Sequence, residues 1–412
     1  MMRDFRFPVS CALAASLAGC GGGGGTGVAV GTPAATATSA SQIAAPTENV
    51  QTVSVEPGPA SAVNLPFTSV TVCAPGGTPC QTIDHVVVDT ASSGLRILAS
   101  ALSPSLLQAL PQQKDDSGNA VGECAQFASG SSWGPVKTAD VTLAARKASS
   151  IPVQIIGDAS FATVPAACSS TGPLHNTVDT LLANGILGVG VFREDCGSAC
   201  ADSASPGFYY ACPSTGCQGI ALPVARQVQN PVARFASDNN GVILQLPAIP
   251  SAGAATAAGA LVFGIGTRAN NGLGSAAVFG VNPTTGTLTT VYRGRVLSRS
   301  FFDSGSNAYF FTDLAIPRCA SNPSFYCPSA TLALTATVQG ANGTVASVDF
   351  AVANTEALLR SNPTASAFDN LAGPIGSSWA FDWGLPFFFG RSVYTAFVGA
   401  STPAGAGPYI AF

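Results

Sequence analysis

Charge is what this sequence has least of. Only 9% of its 412 residues are Asp, Glu, Lys or Arg, against about a quarter in an ordinary soluble domain. The 17 basic and 21 acidic residues give a formal net charge of -4, which argues against a nucleic-acid partner, because phosphate needs a dense basic face. Histidine is nearly missing, with two residues, and lysine is confined to Lys114, Lys137 and Lys147. Catalysis by His or Lys therefore has little to draw on, and carboxylates and hydroxyls remain as the reactive groups. Mean hydropathy is +0.35, yet no apolar run reaches the roughly 20 residues of a membrane-spanning helix, which rules out a multi-pass helical membrane protein. Gly and Pro, at 45 and 29 residues, together stay below the roughly 25–30% at which low-complexity disorder is the default. A folded, turn-rich, low-charge chain is expected.

Residues 1–19 have the order of a secretory signal: Arg3 and Arg6, an apolar stretch from Phe7 to Leu17, then Leu17-Ala18-Gly19-Cys20. The last four resemble the bacterial lipobox, which makes Cys20 the expected lipidation site. Residues 20–52, opening with Gly21 to Gly25, read as a flexible Gly/Ala/Thr tether. The expected location is the bacterial cell envelope, lipid-anchored at the outer membrane and facing the periplasm or the cell surface, with the lipid as the one membrane contact. Setting aside Cys11 and Cys20 leaves Cys73, Cys80, Cys124, Cys168, Cys196, Cys200, Cys212, Cys217, Cys319 and Cys327. An even number in an exported chain points to disulfides. Cys73 with Cys80 and Cys319 with Cys327 are each close enough to clip one loop. Cys196, Cys200, Cys212 and Cys217 also admit a reading as four zinc thiolates, although their spacings match none of the common two-residue knuckles. The pairing of these four with Cys124 and Cys168 stays open; neither a metal nor a cofactor is expected.

From Val53 onward the chain reads as short β-strands at Val53–Val55, Thr68–Cys73, Thr82–Val88, Ala139–Leu143, Val153–Ile156, Gly241–Leu246, Ala260–Phe263 and Thr287–Tyr292. Helical signals are few: Leu95–Leu110 with a Ser103-Pro104 start, Val178–Leu182, and Pro223–Ala236, broken at Pro231. Such a chain is all-β, and its size predicts two lobes, 53–238 and 239–412. An internal echo supports the division. Val86-Val87-Val88-Asp89-Thr90-Ala91-Ser92-Ser93 recurs as Ser300-Phe301-Phe302-Asp303-Ser304-Gly305-Ser306-Asn307, and Asn184–Gly190 is echoed by Leu385–Arg391.

One strand ending in Asp-hydroxyl-small-Ser is commonplace and by itself is a polar turn. Two copies supply what an acid-base pair requires, since two carboxylates within hydrogen-bond reach share one proton. Aspartic proteases are the standard example of such a pair. On these residues the chain resembles the pepsin-like, bilobal aspartic peptidases, in which Val88–Ser93 and Phe302–Ser306 match the two active-site motifs. Phe127–Gly134 is similar to the flap hairpin, Asn184–Gly188 to the Gly-Ile-Leu-Gly segment beneath the first Asp, and Phe387–Phe397 to the late second-lobe segment. The chain also resembles a family of uncharacterised bacterial lipoproteins. The pepsin resemblance implies an all-β bilobal fold with a central cleft, catalytic Asp89 and Asp303, and Thr90 and Ser304 cross-bonded beneath them. It further implies Ser92 and Ser306 on the outer carboxylate oxygens, and Phe127 and Trp133 bounding the cleft. Ala91 departs from the family glycine, and Phe127 from the usual flap tyrosine.

Other motifs are weaker. His85 beside Asp84 reads as a polar strand residue, His175 sits in a Gly-Pro loop without a completing triad or metal set, and Gly264-Ile265-Gly266 is a fragment of a nucleotide loop without its helix. A β-barrel of the outer membrane would explain the strands and hydropathy but not the lipobox and ten cysteines. The function expected is peptide-bond hydrolysis in a monomer that takes a peptide or unfolded protein segment into the cleft. The alternative is a silent module binding a peptide or partner on the same fold; a third reading is an envelope scaffold.

Overall fold

Six of the eight expected strand segments lie within strands, and Gly241–Leu246 and Thr287–Tyr292 each overrun theirs by one residue; among the described residues the longest α-helix, Thr355–Ser361, has seven residues. The computed structural model describes residues 42–412. The signal segment 1–19, Cys20 and most of the expected tether lie outside the described residues. The tether was expected to reach residue 52, but strand Val50–Val55 starts inside it. Val50 is buried, and the Ala44 N–H already donates to Gln245 Oε1 at 2.8 Å. β-Branched residues drive the strands. Val345–Val352 alternates exposed and buried positions as a one-sided strand should, whereas Gly185–Val189 is buried at all five positions, as a strand covered on both faces must be. Among the described residues no helix is long and apolar enough to cross a membrane.

The helical expectations are corrected in two places. Leu95–Leu98 belongs to strand Ser93–Leu98, Ala99–Ala101 is a single 3-10 turn, and only Pro104–Ala109 is α-helical, capped by Ser103 Oγ accepting from Leu106 N–H. Pro223–Ala236 forms two single 3-10 turns, Val224–Arg226 and Val232–Arg234. Pro231 lacks the N–H that would continue a helix from Pro223 and disfavours helical backbone in the residue before it.

The two Asp motifs sit in strand units of the same topology. Strand Cys80–Asp89 runs parallel to Gly185–Val189, which is antiparallel to Ser93–Leu98, itself parallel to Arg146–Ile156. Strand Arg295–Phe302 runs parallel to Phe381–Trp383, which is antiparallel to Tyr309–Phe311, itself parallel to Ala372–Gly373. The counterpart of Gly185–Gly188 is therefore Phe381–Gly384. The sequence echo at Leu385–Arg391 is displaced: Leu385–Phe388 is a buried 3-10 turn started by Pro386. Close approach explains the matched glycines. A Cβ on Gly188 would lie 2.8 Å from Ser92 backbone, and one on Gly384 2.1 Å from Ala308 O, so each lets its strand press against the turn that follows an Asp.

Val50–Val55 pairs with Ala257–Phe263, and the ladder continues through Gly241–Gln245, Ser392–Ala396, Tyr409–Ala411 and Val278–Gly280. A strand from the start of the described chain is thereby built into a layer made from its second half. The core of that half is aromatic: Trp383 stacks on Phe381 at 4.2 Å and Phe381 on Phe311 at 4.7 Å between centroids. All ten described cysteines pair, as Cys73–Cys80, Cys124–Cys168, Cys196–Cys200, Cys212–Cys217 and Cys319–Cys327. The two expected clips are among them, and the zinc reading of Cys196 to Cys217 is overturned.

Candidate active site

Each Asp ends its strand by capping the turn after it. Asp89 Oδ1 accepts from the Ala91 N–H at 2.9 Å and the Ser92 N–H at 3.2 Å, and Asp303 Oδ1 accepts from the Gly305 N–H at 2.8 Å. The outer oxygens are held by serines: Ser92 Oγ donates to Asp89 Oδ2 at 2.5 Å and Ser306 Oγ to Asp303 Oδ2 at 2.8 Å.

What brings the two turns together is a buried reciprocal contact. The Thr90 N–H donates to Ser304 Oγ at 3.2 Å, and the Ser304 N–H donates to Thr90 Oγ1 at 3.0 Å. Each hydroxyl then donates onward across the contact, Thr90 Oγ1 to Phe302 O at 3.2 Å and Ser304 Oγ to Val88 O at 2.6 Å. Both side chains are buried, and every hydrogen-bonding group at the contact is satisfied.

The clamp leaves the Asp89 and Asp303 carboxyls close enough to share a proton. A Cβ placed on Gly305 would lie 3.1 Å from Asp303 Oδ1 and 3.2 Å from Asp89 Oδ1, so the inner oxygens meet beside that glycine. Burial, then the neighbouring Asp89 charge, hold the Asp303 carboxyl well above the usual carboxylate range. Both acids line a cavity of about 1110 Å³.

Over the cavity stands the hairpin of Ala120–Phe127 and Gly130–Leu143, with Ala128 and Ser129 at its tip. Phe127 lines the cavity. Trp133 does not bound it: its indole is buried behind the hairpin against Phe161 and Tyr210, and its N–H donates to Phe161 O at 2.8 Å. Ala91 faces the cavity with an ordinary negative φ, so its methyl is carried without backbone strain.

Three groups matter more than the sequence reading allowed. Arg96 is buried and pairs with Glu123 at 2.6 Å and Asp195 at 3.2 Å, its guanidinium carbon 5.7 Å from the Phe127 ring centroid. Burial and the neighbouring Glu123 push the Asp195 carboxyl well up, and Tyr209 donates to it at 2.5 Å. A second cavity of about 160 Å³ lies between this cluster, Phe127 and Ser92. His175 is also buried at the main cavity, Nδ1 2.8 Å from Thr180 O. Asp382 is the third, a buried acid whose Oδ2 lies 2.6 Å from Ser306 Oγ. Its only sequence signal was a polar residue inside an apolar stretch.

A family model described as a protein of unknown function, DUF3443, matches residues 45–412. Comparison with curated proteins finds no match.

Proposed function

The chain belongs to the family described as a protein of unknown function, DUF3443, and we propose that it is an aspartic endopeptidase of pepsin-like, bilobal fold, held at the bacterial envelope by a lipid on Cys20. One observation carries the reading: the buried Thr90–Ser304 clamp that sets Asp89 and Asp303 in hydrogen contact at a cavity large enough for a peptide. The repeated strand topology around the two acids supports the bilobal fold. A peptide enters extended and is held partly through its main chain.

The pair holds one shared proton, retained by burial and by the closeness of the two carboxyls. The carboxylate takes a proton from water as the water oxygen bonds to the peptide carbonyl carbon, and the protonated partner donates to the carbonyl oxygen. Proton return to the amide nitrogen then breaks the C–N bond, releasing an amine and a carboxylic acid. Water is the only co-reactant.

Cleavage of a denatured protein library at about pH 3–5 by protein lacking Cys20 tests the reading. Asp89→Asn and Asp303→Asn should each abolish cleavage with the circular dichroism spectrum unchanged. Cleavage surviving either change would refute the dyad.

Ala91 favours a second reading, a silent peptide-binding module. A Cβ at its counterpart, Gly305, would stand 3.0 Å from Asp89 Cγ, so a methyl in the matching place crowds the position where water must sit. On that reading wild type binds peptide without turnover, and Ala91→Gly creates cleavage; on the peptidase reading the same change leaves an existing activity of similar size.

A further inference from the structure

The hydrogen bonds around Asp382 do not close unless a carboxyl there carries a proton. Ser306 Oγ lies 2.8 Å from Asp303 Oδ2 and 2.6 Å from Asp382 Oδ2. A hydroxyl has one hydrogen, so it cannot donate to two carboxylates at once. The set is satisfied when one carboxyl donates to Ser306 Oγ and Ser306 donates to the other. Asp303 already shares its proton with Asp89, so the donor is Asp382.

Two further observations agree. Asp382 Oδ1 is buried without a partner, a condition a neutral carboxyl tolerates far better than a carboxylate. The first-half counterpart on the cavity wall is Ile186, paired with Val87 as Asp382 is paired with Phe301. An apolar side chain therefore satisfies the fold at this place, and packing alone does not call for an acid. Asp303 and Asp89 are the titratable groups whose charge, after burial, raises Asp382. Arg299, Arg318 and His175 line the same cavity.

We propose that Asp382 is a protonated positioning residue: it donates to Ser306 Oγ, turns that hydroxyl onto Asp303 Oδ2, and leaves Asp303 Oδ1 as the oxygen facing Asp89. The role rests on the dyad reading of Asp89 and Asp303. Proton transfer along Asp382–Ser306–Asp303 conserves charge within the chain, so the third acid also stores a proton beside the pair.

The test uses protein labelled with ¹³C at the aspartate side-chain carboxyls, with wild type, Asp382→Asn and Asp382→Leu compared. The resonance missing from both variants is that of Asp382. It should keep the protonated chemical shift through neutral pH, and titration together with the exposed carboxylates would overturn the proposal. In peptide cleavage, Asp382→Leu should lower kcat about tenfold with KM unchanged, and Asp382→Asn, which keeps an N–H donor for Ser306, should recover most of that loss. Equal loss in both variants, or no loss in either, would overturn the positioning role. Absence of cleavage in wild type defeats the peptidase reading, while the resonance still decides whether Asp382 holds a proton.

Discussion

Thr90 and Ser304 each donate and accept once across the same contact, so neither hydroxyl is removable without orphaning a buried partner. Thr90→Val keeps the shape and leaves the Ser304 N–H without its acceptor, which should cost about 1–3 kcal/mol in urea unfolding. Thr90→Ser keeps the hydroxyl and should lie close to wild type. Arg96 makes a harsher case. Among the described residues its guanidinium is the one cation paired with Glu123 and Asp195, and Glu123 Oε2 already lacks a partner. Arg96→Met should destabilise by about 3–5 kcal/mol, because it strands buried acid rather than merely losing a pair. A cost under about 1 kcal/mol would mean that both acids are protonated in the native state.

At the scale of elements, the hairpin over the cavity is fastened at its base and open at its tip. Cys124 faces Trp133 within it and is tied to Cys168 of the short helix Ala166–Ser169, while Ala128 and Ser129 are exposed. That disulfide spans 44 residues, so replacing both cysteines with alanine should cost about 2–4 kcal/mol. The same change at Cys196–Cys200, which spans four, should cost less; thermal unfolding ranks the two. What the sequence reveals also differs element by element. The strands leading to Asp89 and Asp303 are legible because an apolar run meets Asp, hydroxyl, small residue and Ser twice. Strand Phe381–Trp383 is not, since it has three residues with an acid in the middle, and the apolar turn behind it imitates the expected signal. Arg96 is hidden for another reason: its partners lie 27 and 99 residues away, and no local pattern records a pairing that only the folded chain creates. The pepsin resemblance puts Trp133 at the cleft, yet alternation along its strand turns the indole to the covered face.

Across the whole molecule, three buried acids, Asp195, Asp303 and Asp382, hold protons more tightly than an ordinary carboxyl, first through burial and then through neighbouring acids. In the unfolded chain they ionise near about pH 4. Between that point and their raised folded values the native state binds more protons than the unfolded state, so stability must fall as pH rises. Asp140, held below its ordinary range by Lys147 and the Ser150 N–H, works the other way, as do Asp115 and Glu356; their contribution is present above about pH 4 and fades only below it. The two sets together put maximum stability near the ordinary carboxylate pKa rather than at neutrality, which suits a site that needs one shared proton. Denaturant midpoints should therefore decline as pH rises above about 4.5, each proton still held by the folded state contributing at most about 1.4 kcal/mol per pH unit until its folded pKa is passed. Asp382→Asn replaces one of the three by a group that does not titrate. It should flatten the decline by about that amount and raise stability at neutral pH relative to wild type, whereas a profile that rises toward neutrality in wild type would mean that these acids are ionised in the folded protein and that the dyad holds no shared proton.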